Sequence, residues 1–322
     1  MRCILAVLVV AIFASNACCE EATLDEKNIT LSMGSGMMRG HTTYQIGGHF
    51  KSPDGSGEVR FPLSELRFPL SLWFGSLGAK IELAEHAFLE AKIKKGISKD
   101  AGKMNDRDWG ILYEEIDDWP YPDSLDFYSE SDTEADVLTM DISARYYVSP
   151  WPNKTFSIFA GARYTLQKFK FLVSNLEQHY PSMEEYYGYR MEPDYVPGKV
   201  MEYKVTQKIP LLITGARVVN ASGFGLDLMV GYSPFVKVED EDRHLLRTMV
   251  SRAKCRGNGL LLSVFGYYKF GTRWSLNLAY DYMTIDTDGK EKQFFDGELS
   301  TLIDQKNFSD SHTFELTLEF IF

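Results

Sequence analysis

The chain has 322 residues, of which 44% are hydrophobic and 14% aromatic, and it carries a formal net charge of −11. This composition argues against a bundle of membrane-spanning helices. It suits a membrane barrel, whose strands show apolar residues at every second position. The negative charge argues against nucleic acid as a partner and favours cationic partners.

The first residues form an export signal. One basic residue precedes an apolar stretch from Ile4 to Phe13, and small residues follow up to Ala17. The stretch is too short to span a bilayer, which requires about 20 apolar residues. We therefore expect cleavage after Ala17, with lipidation of Cys18 or Cys19 as the open alternative.

The remainder of the chain contains segments that alternate apolar and polar residues. The clearest are Phe224 to Tyr232, Trp274 to Tyr282 and Phe314 to Phe322. A period of two indicates strands with one apolar face. Aromatic residues cluster at the strand ends and the opposite faces are polar and charged. Both features favour lipid, rather than the core of a soluble sandwich, as the apolar partner.

Ten strands are predicted, and an even number suits a closed antiparallel barrel that leaves no edge unpaired in lipid. They cover approximately residues 28–47, 59–83, 87–98, 135–148, 155–173, 200–218, 223–240, 258–270, 273–287 and 311–322. The predicted fold is thus all-β, a ten-stranded antiparallel transmembrane β-barrel with long extracellular loops. The predicted domains are a signal peptide at 1–17, a flexible N-terminus at 18–27 and one outer-membrane β-barrel at 28–322.

The connections between these strands alternate in length. Long ones are predicted at 48–58, 99–134, 174–199, 241–257 and 288–310, with short turns between them. Such barrels have short turns in the periplasm and long loops outside the cell. Residues from 99–134 and from 238–257 are therefore expected to meet above the barrel, despite their separation in sequence.

Two clusters at these strand ends could carry chemistry. Asp106 and Asp108 lie two residues apart, as do Asp242 and His244, and on extended backbone such residues project to the same side. A carboxylate beside an imidazole holds its tautomer and raises its basicity, so His244 could activate water near neutral pH. Two close carboxylates share one proton, which could position the water or protonate a leaving amine.

The same residues allow two plainer interpretations. Acidic surface loops produce Asp-x-Asp segments by chance, and a lone Asp-x-His segment is just as unspecific. Alternatively, Asp106, Asp108, Asp242 and His244 could bind a metal ion, but the sequence has no second histidine or cysteine there to stiffen such a site. The prediction is therefore that no metal is bound.

These motifs resemble those of the omptin family, outer-membrane endopeptidases of Gram-negative bacteria. Asn105-Asp106-Arg107-Asp108-Trp109 is similar to the family's pair of aspartates before a tryptophan, and Asp240-Glu241-Asp242-Arg243-His244 is similar to its Asp-x-Asp-x-His segment. Other segments agree in order and spacing, so that the resemblance spans most of residues 28 to 322. They are Gly231-Tyr232-Ser233, Tyr203-Lys204, Lys208-Ile209-Pro210, Thr214-Gly215 and Ser64-Glu65-Leu66.

The resemblance implies an endopeptidase with an acidic groove at the extracellular rim of the barrel. In this assignment Asp242 orients His244, and His244 activates a water. Asp106 and Asp108 face them across the groove, with Asp106 nearest the water. The water attacks the peptide carbonyl directly, with no acyl-enzyme. Asp240 is implied to hold a basic side chain next to the scissile bond.

The chain departs from the family pattern in two places. The family's second acidic residue for that basic side chain falls in the first strand, where this sequence has His41 or Thr42. The family's lipopolysaccharide-binding residues are matched only weakly, by Tyr164, Lys168 and Lys254. The cleavage preference and a lipopolysaccharide requirement therefore stay open, and no other cofactor is expected.

The leading hypothesis is an omptin-like, aspartic-type endopeptidase of the cell outer membrane that cleaves cationic peptides or host proteins near basic residues. Its active site is expected to face the extracellular side. We expect a monomer that contacts outer-membrane lipid. The alternative is a non-catalytic outer-membrane barrel that acts as an adhesin or a small porin.

Overall fold

The computed structural model describes residues 29–84, 86–112, 123–148 and 155–322, most of which lie in one antiparallel sheet. The signal peptide and flexible N-terminus predicted at 1–17 and 18–27 lie outside the described residues. The elements in chain order are β1 (Ile29–Ser52), β2 (Gly55–Pro69), β3 (Leu72–Ala84), β4 (Ala87–Gly96), β5 (Asp100–Trp109), β6 (Leu125–Val148), β7 (Phe156–His179), α1 (Pro181–Tyr187), β8 (Asp194–Val219), β9 (Phe224–His244), β10 (Met249–Phe270), β11 (Trp274–Phe295) and β12 (Glu298–Ile321).

The sheet closes on itself through its first and last strands. β1 pairs with β12 from Thr30 opposite Ile321 to Lys51 opposite Leu302, and on its other side β1 pairs with β2 and β3. Closure leaves no row of unpaired backbone groups to face lipid. The prediction of an all-β antiparallel barrel is confirmed.

The sheet has twelve strands instead of the predicted ten, because the predicted strand 59–83 is divided into β2 and β3, and because β5 lies within the predicted loop 99–134. β2 and β3 both pair with β1, and β4 and β5 both pair with β6, so each pair continues one line of the barrel wall. One break follows Pro69, which has no N–H to donate. In the other, the N–H groups of Ile97 and Ser98 both donate to the carbonyl of Trp73. The two breaks therefore lie side by side.

Most residues of the predicted long loops belong to strands, so that prediction is wrong. The connections at this end of the barrel are only 53–54, 110–124, 180–193 with α1, 245–248 and 296–297. The physical reason is that the upper parts of the strands extend beyond the apolar band of the barrel. Their outward positions are polar there, so the alternation that marks a lipid-facing strand disappears.

The outer face of the lower barrel carries the apolar band. Leu212, Leu228 and Leu278 are 73%, 51% and 61% exposed. In a soluble sandwich such side chains would form the core, so their exposure supports the lipid-facing interpretation. Among the described residues, no helix is long and apolar enough to cross a membrane.

The barrel interior has three levels. At the lowest level, charged side chains line a cavity of about 110 Å³, where Nζ of Lys94 lies 3.1 Å from a carboxylate oxygen of Glu315. Above it lies an apolar layer, which we call the plug. The rings of Phe68 and Tyr203 stack in it with centroids 4.4 Å apart. The plug comprises Tyr44, Phe68, Phe171, Tyr203, Leu211, Val236, Leu261 and Ile285, all buried. The third level, above the plug, is acidic.

β9 changes the parity of its inward side chains halfway along its length. Ser233 and Val236 are both fully buried, whereas Pro234 and Phe235 between them face outward. The pairing of β9 with β8 and β10 shifts register at the same level, as a β-bulge requires. Below the bulge odd-numbered residues face inward. Above it even-numbered residues face inward, so that Asp240, Asp242 and His244 point toward the interior.

Candidate active site

The upper level of the barrel brings the two predicted clusters together. β5 carries Asp106 and Asp108, and β9 carries Asp242 and His244. The charge of Asp242 contributes to the raised pKa of Asp106, and the charge of His244 opposes the rise in the pKa of Asp108. The two clusters therefore face each other closely enough to interact electrostatically, as the alternation of long and short connections in the sequence predicts.

Asp242 and His244 form a direct contact. Nε2 of His244 lies 3.0 Å from Oδ2 of Asp242, and the two side chains are 14% and 2% exposed. The hydroxyl of Tyr44 donates to the same carboxylate oxygen. Burial, with a further contribution from Asp242, raises the pKa of Tyr44 well above its usual value, so this hydroxyl stays a donor. With Nε2 directed at Asp242, Nδ1 is the ring nitrogen available to a reacting group.

The pair on β5 is half-buried and tends to keep a proton. Burial raises the pKa of Asp106 well above its usual value, and Asp108 and Asp242 add to the rise while Arg247 opposes it. Burial also raises the pKa of Asp108. Oδ1 of Asp106 is buried and accepts no hydrogen bond from the described residues. The pair thus offers both an acceptor for a water and a proton for a leaving group.

Asp240 lies deeper in the barrel than Asp242 and is almost surrounded by donors. Its Oδ2 accepts from the side-chain amides of Gln305, at 2.8 Å, and Asn307, at 3.1 Å. Its Oδ1 accepts from the backbone N–H of Ala253 at 3.2 Å. Burial nevertheless raises its pKa to about 6, since the amides oppose the rise only in part.

The first strand has no carboxylate at the position where the family pattern has one. Thr42 is fully buried, whereas His41 is half-buried and has Nδ1 2.6 Å from a carboxylate oxygen of Asp310. The structure therefore also lacks the second acidic residue of the family pattern on the first strand. A hydroxyl occupies the inward position two residues before Tyr44.

Sequence motifs do not identify several residues of this upper level. Tyr44, Gln305 and Asn307 lie within strands and belong to no short pattern. One signal in the sequence could have found two of them. Gln305 and Asn307 lie two residues apart on β12, and amide side chains at alternating positions of a strand predict a polar interior at the same level of the barrel. Their contacts with Asp240 and Asp242 depend on strands far apart in sequence.

The three candidate lipid-binding residues lie on the outer face. Tyr164 is 43% exposed, and Lys168 and Lys254 are exposed as well. Lys168 and Lys254 belong to one row of strand partners, which runs Lys168, Thr206, Glu239, Lys254 across β7 to β10. Their role in binding lipopolysaccharide stays a prediction. No group of three His, Cys, Asp or Glu side chains within the described ranges could hold a metal ion.

Comparison with known proteins bears on the family and the fold of the chain. The model of the omptin family matches residues 26–309. The crystal structure of the outer membrane protease OmpT from Escherichia coli superposes with a TM-score of 0.72 at 18% identity, covering 94% of this chain and 99% of that one. The outer membrane protein OprG from Pseudomonas aeruginosa gives 0.39 at 11% identity, covering 92% and 96%. No curated protein sequence matches the chain.

Proposed function

Because the chain belongs to the omptin family, we propose that it is an outer-membrane endopeptidase whose active site lies at the upper rim of its barrel and faces the cell exterior. The observation that carries the proposal is the 3.0 Å contact between Asp242 and His244, opposite a half-buried pair of aspartates. A carboxylate-bound imidazole and a proton-holding carboxyl pair supply the base and the acid that hydrolysis of an amide needs.

The proposed mechanism uses water as the nucleophile. A water held between Nδ1 of His244 and Oδ1 of Asp106 gives a proton to His244 as its oxygen attacks the peptide carbonyl. Asp242 stabilises the imidazolium that forms, and Tyr44 keeps that carboxylate in place through its hydrogen bond. The C–N bond then breaks, the proton held by Asp106 and Asp108 passes to the leaving amine, and the proton on His244 returns to that carboxyl pair.

The charge of the upper level suits cationic peptides or proteins as substrates. Asp106, Asp108, Asp240 and Asp242 all face the interior there, and a positively charged chain would be drawn to them. We propose that Asp240 contacts a basic side chain beside the scissile bond. We also propose that the protein acts as a monomer, and that an anionic lipid such as lipopolysaccharide binds the outward Lys168 and Lys254.

A peptide-library cleavage assay on refolded protein, with and without lipopolysaccharide, tests this function. His244→Ala and Asp106→Asn should each lower kcat by about 10²- to 10⁴-fold, the range for loss of a general acid or base. His49→Ala is the matched control, because His49 lies at an exposed site on β1. Undiminished cleavage by both active-site variants would overturn the mechanism.

A non-catalytic adhesin is the second candidate. Four exposed tyrosines lie on α1 and in the residues that follow it, and exposed aromatic side chains are common in binding surfaces. They are Tyr186, Tyr187, Tyr189 and Tyr195, which are 52%, 52%, 60% and 63% exposed. This function predicts that wild-type protein binds cells or matrix without cleaving any peptide, and that His244→Ala binds equally well.

A further inference from the structure

The connection between β7 and β8 carries a row of exposed tyrosine rings that the proposed hydrolysis does not use. The rings of Tyr186 and Tyr187 have centroids 5.0 Å apart, and those of Tyr187 and Tyr189 have centroids 5.8 Å apart. The three side chains are between 52% and 60% exposed. We call these three residues the tyrosine row. Contiguous aromatic surface of this kind is typical of a binding site.

The segment that carries the tyrosine row is held firmly to the barrel wall. Ser182 of α1 is fully buried, and its hydroxyl donates to Oδ1 of Asp126 at 2.6 Å. Asp126 is fully buried as well, and its Oδ2 accepts from the backbone N–H of Leu112 at 2.9 Å. Beyond the helix, the backbone N–H of Met191 donates to the side chain of Glu184 at 3.1 Å. A surface that is already ordered loses little conformational entropy when it binds a ligand.

The same contacts place the tyrosine row beside the candidate catalytic residues. Asp126 precedes Phe127 on β6, and Phe127 is the strand partner of Asp108. The ring of Tyr180, directly before α1, has its centroid 5.8 Å from that of Phe127. The charge of Asp126 also contributes to the raised pKa of Asp108. Because the helix that follows has seven residues, the tyrosine row lies on the order of 10–20 Å from Asp108.

The charges of this segment favour a cationic occupant. Residues 180–195 contain one basic side chain, Arg190, and four acidic ones, so that their net charge is 1 − 4 = −3. The acidic residues are Glu184, Glu185, Glu192 and Asp194, of which Glu185, Glu192 and Asp194 are exposed. The face of a tyrosine ring attracts a guanidinium or an ammonium group. Ring faces with a surplus of carboxylates around them therefore match a chain segment rich in arginine or lysine.

We propose that the tyrosine row is an exosite, which binds a basic segment of the substrate about three to six residues away from the scissile bond. The inference rests on the proposed protease function and deepens it, because it adds a contact outside the groove to the contacts beside the scissile bond. Each cation–π contact at an exposed site raises affinity by roughly two- to fivefold. Ring faces impose little geometry on the cation, so the exosite contributes affinity for basic chains and does not fix a cleavage sequence.

Two fluorogenic peptides that share one cleavable core test the exosite. One carries three arginines about five residues from the scissile bond, and the other carries three citrullines there, which are neutral and nearly the same shape. The pair is made with this segment on the N-terminal side and again on the C-terminal side. Wild-type protein should show at least threefold higher kcat/KM for the arginine peptide on one of the two sides, mainly through KM. Tyr187→Ser combined with Tyr189→Ser should abolish that difference and leave the citrulline peptide within about twofold.

The matched control keeps the rings and removes only their hydroxyl groups. Tyr187→Phe combined with Tyr189→Phe should retain the preference for the arginine peptide, because a phenylalanine face also attracts a cation. Equal kcat/KM for the arginine and citrulline peptides of wild-type protein on both sides would overturn the exosite. So would an equal loss for both peptides in the serine variant, since that result assigns the tyrosine row a purely structural role.

A binding measurement separates failure of the exosite from failure of the protease. In the His244→Ala variant, fluorescence anisotropy of the same labelled peptides reports affinity without cleavage. We expect tighter binding of the arginine peptide, and loss of that difference when the two serine substitutions are added. Arginine-dependent binding that survives the serine substitutions would place the basic segment elsewhere on the barrel and overturn the exosite. Arginine-dependent binding that the serine substitutions remove, without any cleavage by wild type, would overturn only the protease.

Discussion

At the scale of single residues, the buried carboxyl group of Glu291 in the upper level makes the stability of the fold depend on pH. The pKa of Glu291 is raised from 4.5 to about 7, chiefly by burial, so the folded protein binds its proton more tightly than the unfolded chain does. The stability that this proton contributes is fully present below pH 4.5 and is lost as pH rises through 7. Near pH 8 the ionised carboxylate therefore destabilises the fold.

Replacement of Glu291 by glutamine should remove this pH dependence. Glutamine has nearly the same shape and never ionises, so Glu291→Gln should raise the free energy of unfolding relative to wild type at pH 8. A shift of this size corresponds to up to about 3 kcal/mol. At pH 5 the gain should be much smaller. Urea unfolding of refolded protein in lipid vesicles at both pH values measures it. An equal effect at pH 5 and pH 8 would contradict the buried-carboxyl explanation.

Residue spacing and the alternation of long and short connections predicted that Asp106 and Asp108 face Asp242 and His244, and the resemblance to the omptin family suggested their roles. The alternation of two residues along a strand is a local property, and the structure preserves it on β5 and β9. Glu291 and Tyr44 could not be found in this way. Their importance comes from partners on other strands, and the register between strands is not written in any short motif.

At the scale of elements, the bulge in β9 decides which face the candidate catalytic residues occupy. Asp242 and His244 are even-numbered, as are the exposed Leu228 and Val230 lower in the same strand. A regular strand would therefore have directed all four side chains into lipid or solvent. The sequence contains a signal for the change, since Pro234 cannot donate to the ladder and is typical of bulges, but the period-two interpretation passes over it.

Deletion of Phe235 should separate folding from activity. Removing one residue eliminates the bulge and flips every side chain above it, so Asp240, Asp242 and His244 would point outward. We expect peptidase activity to fall below detection while the lower barrel still forms, measured by the shift in gel mobility between heated and unheated samples. Pro234→Ala, which keeps the residue count, should retain activity. An active deletion variant would show that the bulge does not position the site.

The sequence predicted a strand for every line of the barrel wall, but it did not predict how far the strands extend. Apolar alternation reports the part of a strand that touches lipid, and it ends where both faces become polar. β12 illustrates the limit, because its residues from Glu298 to Asp310 pair with β11, except at a register shift beside Ser300, although they were expected to form a loop. Hydrogen bonding between neighbouring strands holds this upper wall together.

At the scale of the whole molecule, the plug divides the interior into two polar regions. Phe68, Phe171 and Tyr203 are each less than 2% exposed, and their rings lie within 4.4 to 6.1 Å of one another. Close-packed aromatic side chains leave no room for a file of water. The twelve strands form ten lines around the barrel, since β2 and β3 share one line and β4 and β5 share another. A barrel of this width is narrow enough for side chains to fill it.

The intact protein should therefore conduct no ions. In planar lipid bilayers with 1 M salt we expect no stepwise current from refolded protein that is active on peptides. Such a current, absent from a mock preparation, would support the small-porin alternative. Phe68→Gly combined with Phe171→Gly opens the plug and serves as the positive control, since conductance should rise if the lower cavity reaches the other end of the barrel.

The plug also makes the upper level a blind-ended chamber. A peptide that enters from the rim can leave only through the same opening, so both fragments return to the compartment that supplied the substrate. The barrel cannot serve as an import route for the peptide fragments that it releases. Its benefit to the cell would then lie in destroying or altering the target molecule. Such a barrel is suited to substrates that harm the cell while they are intact.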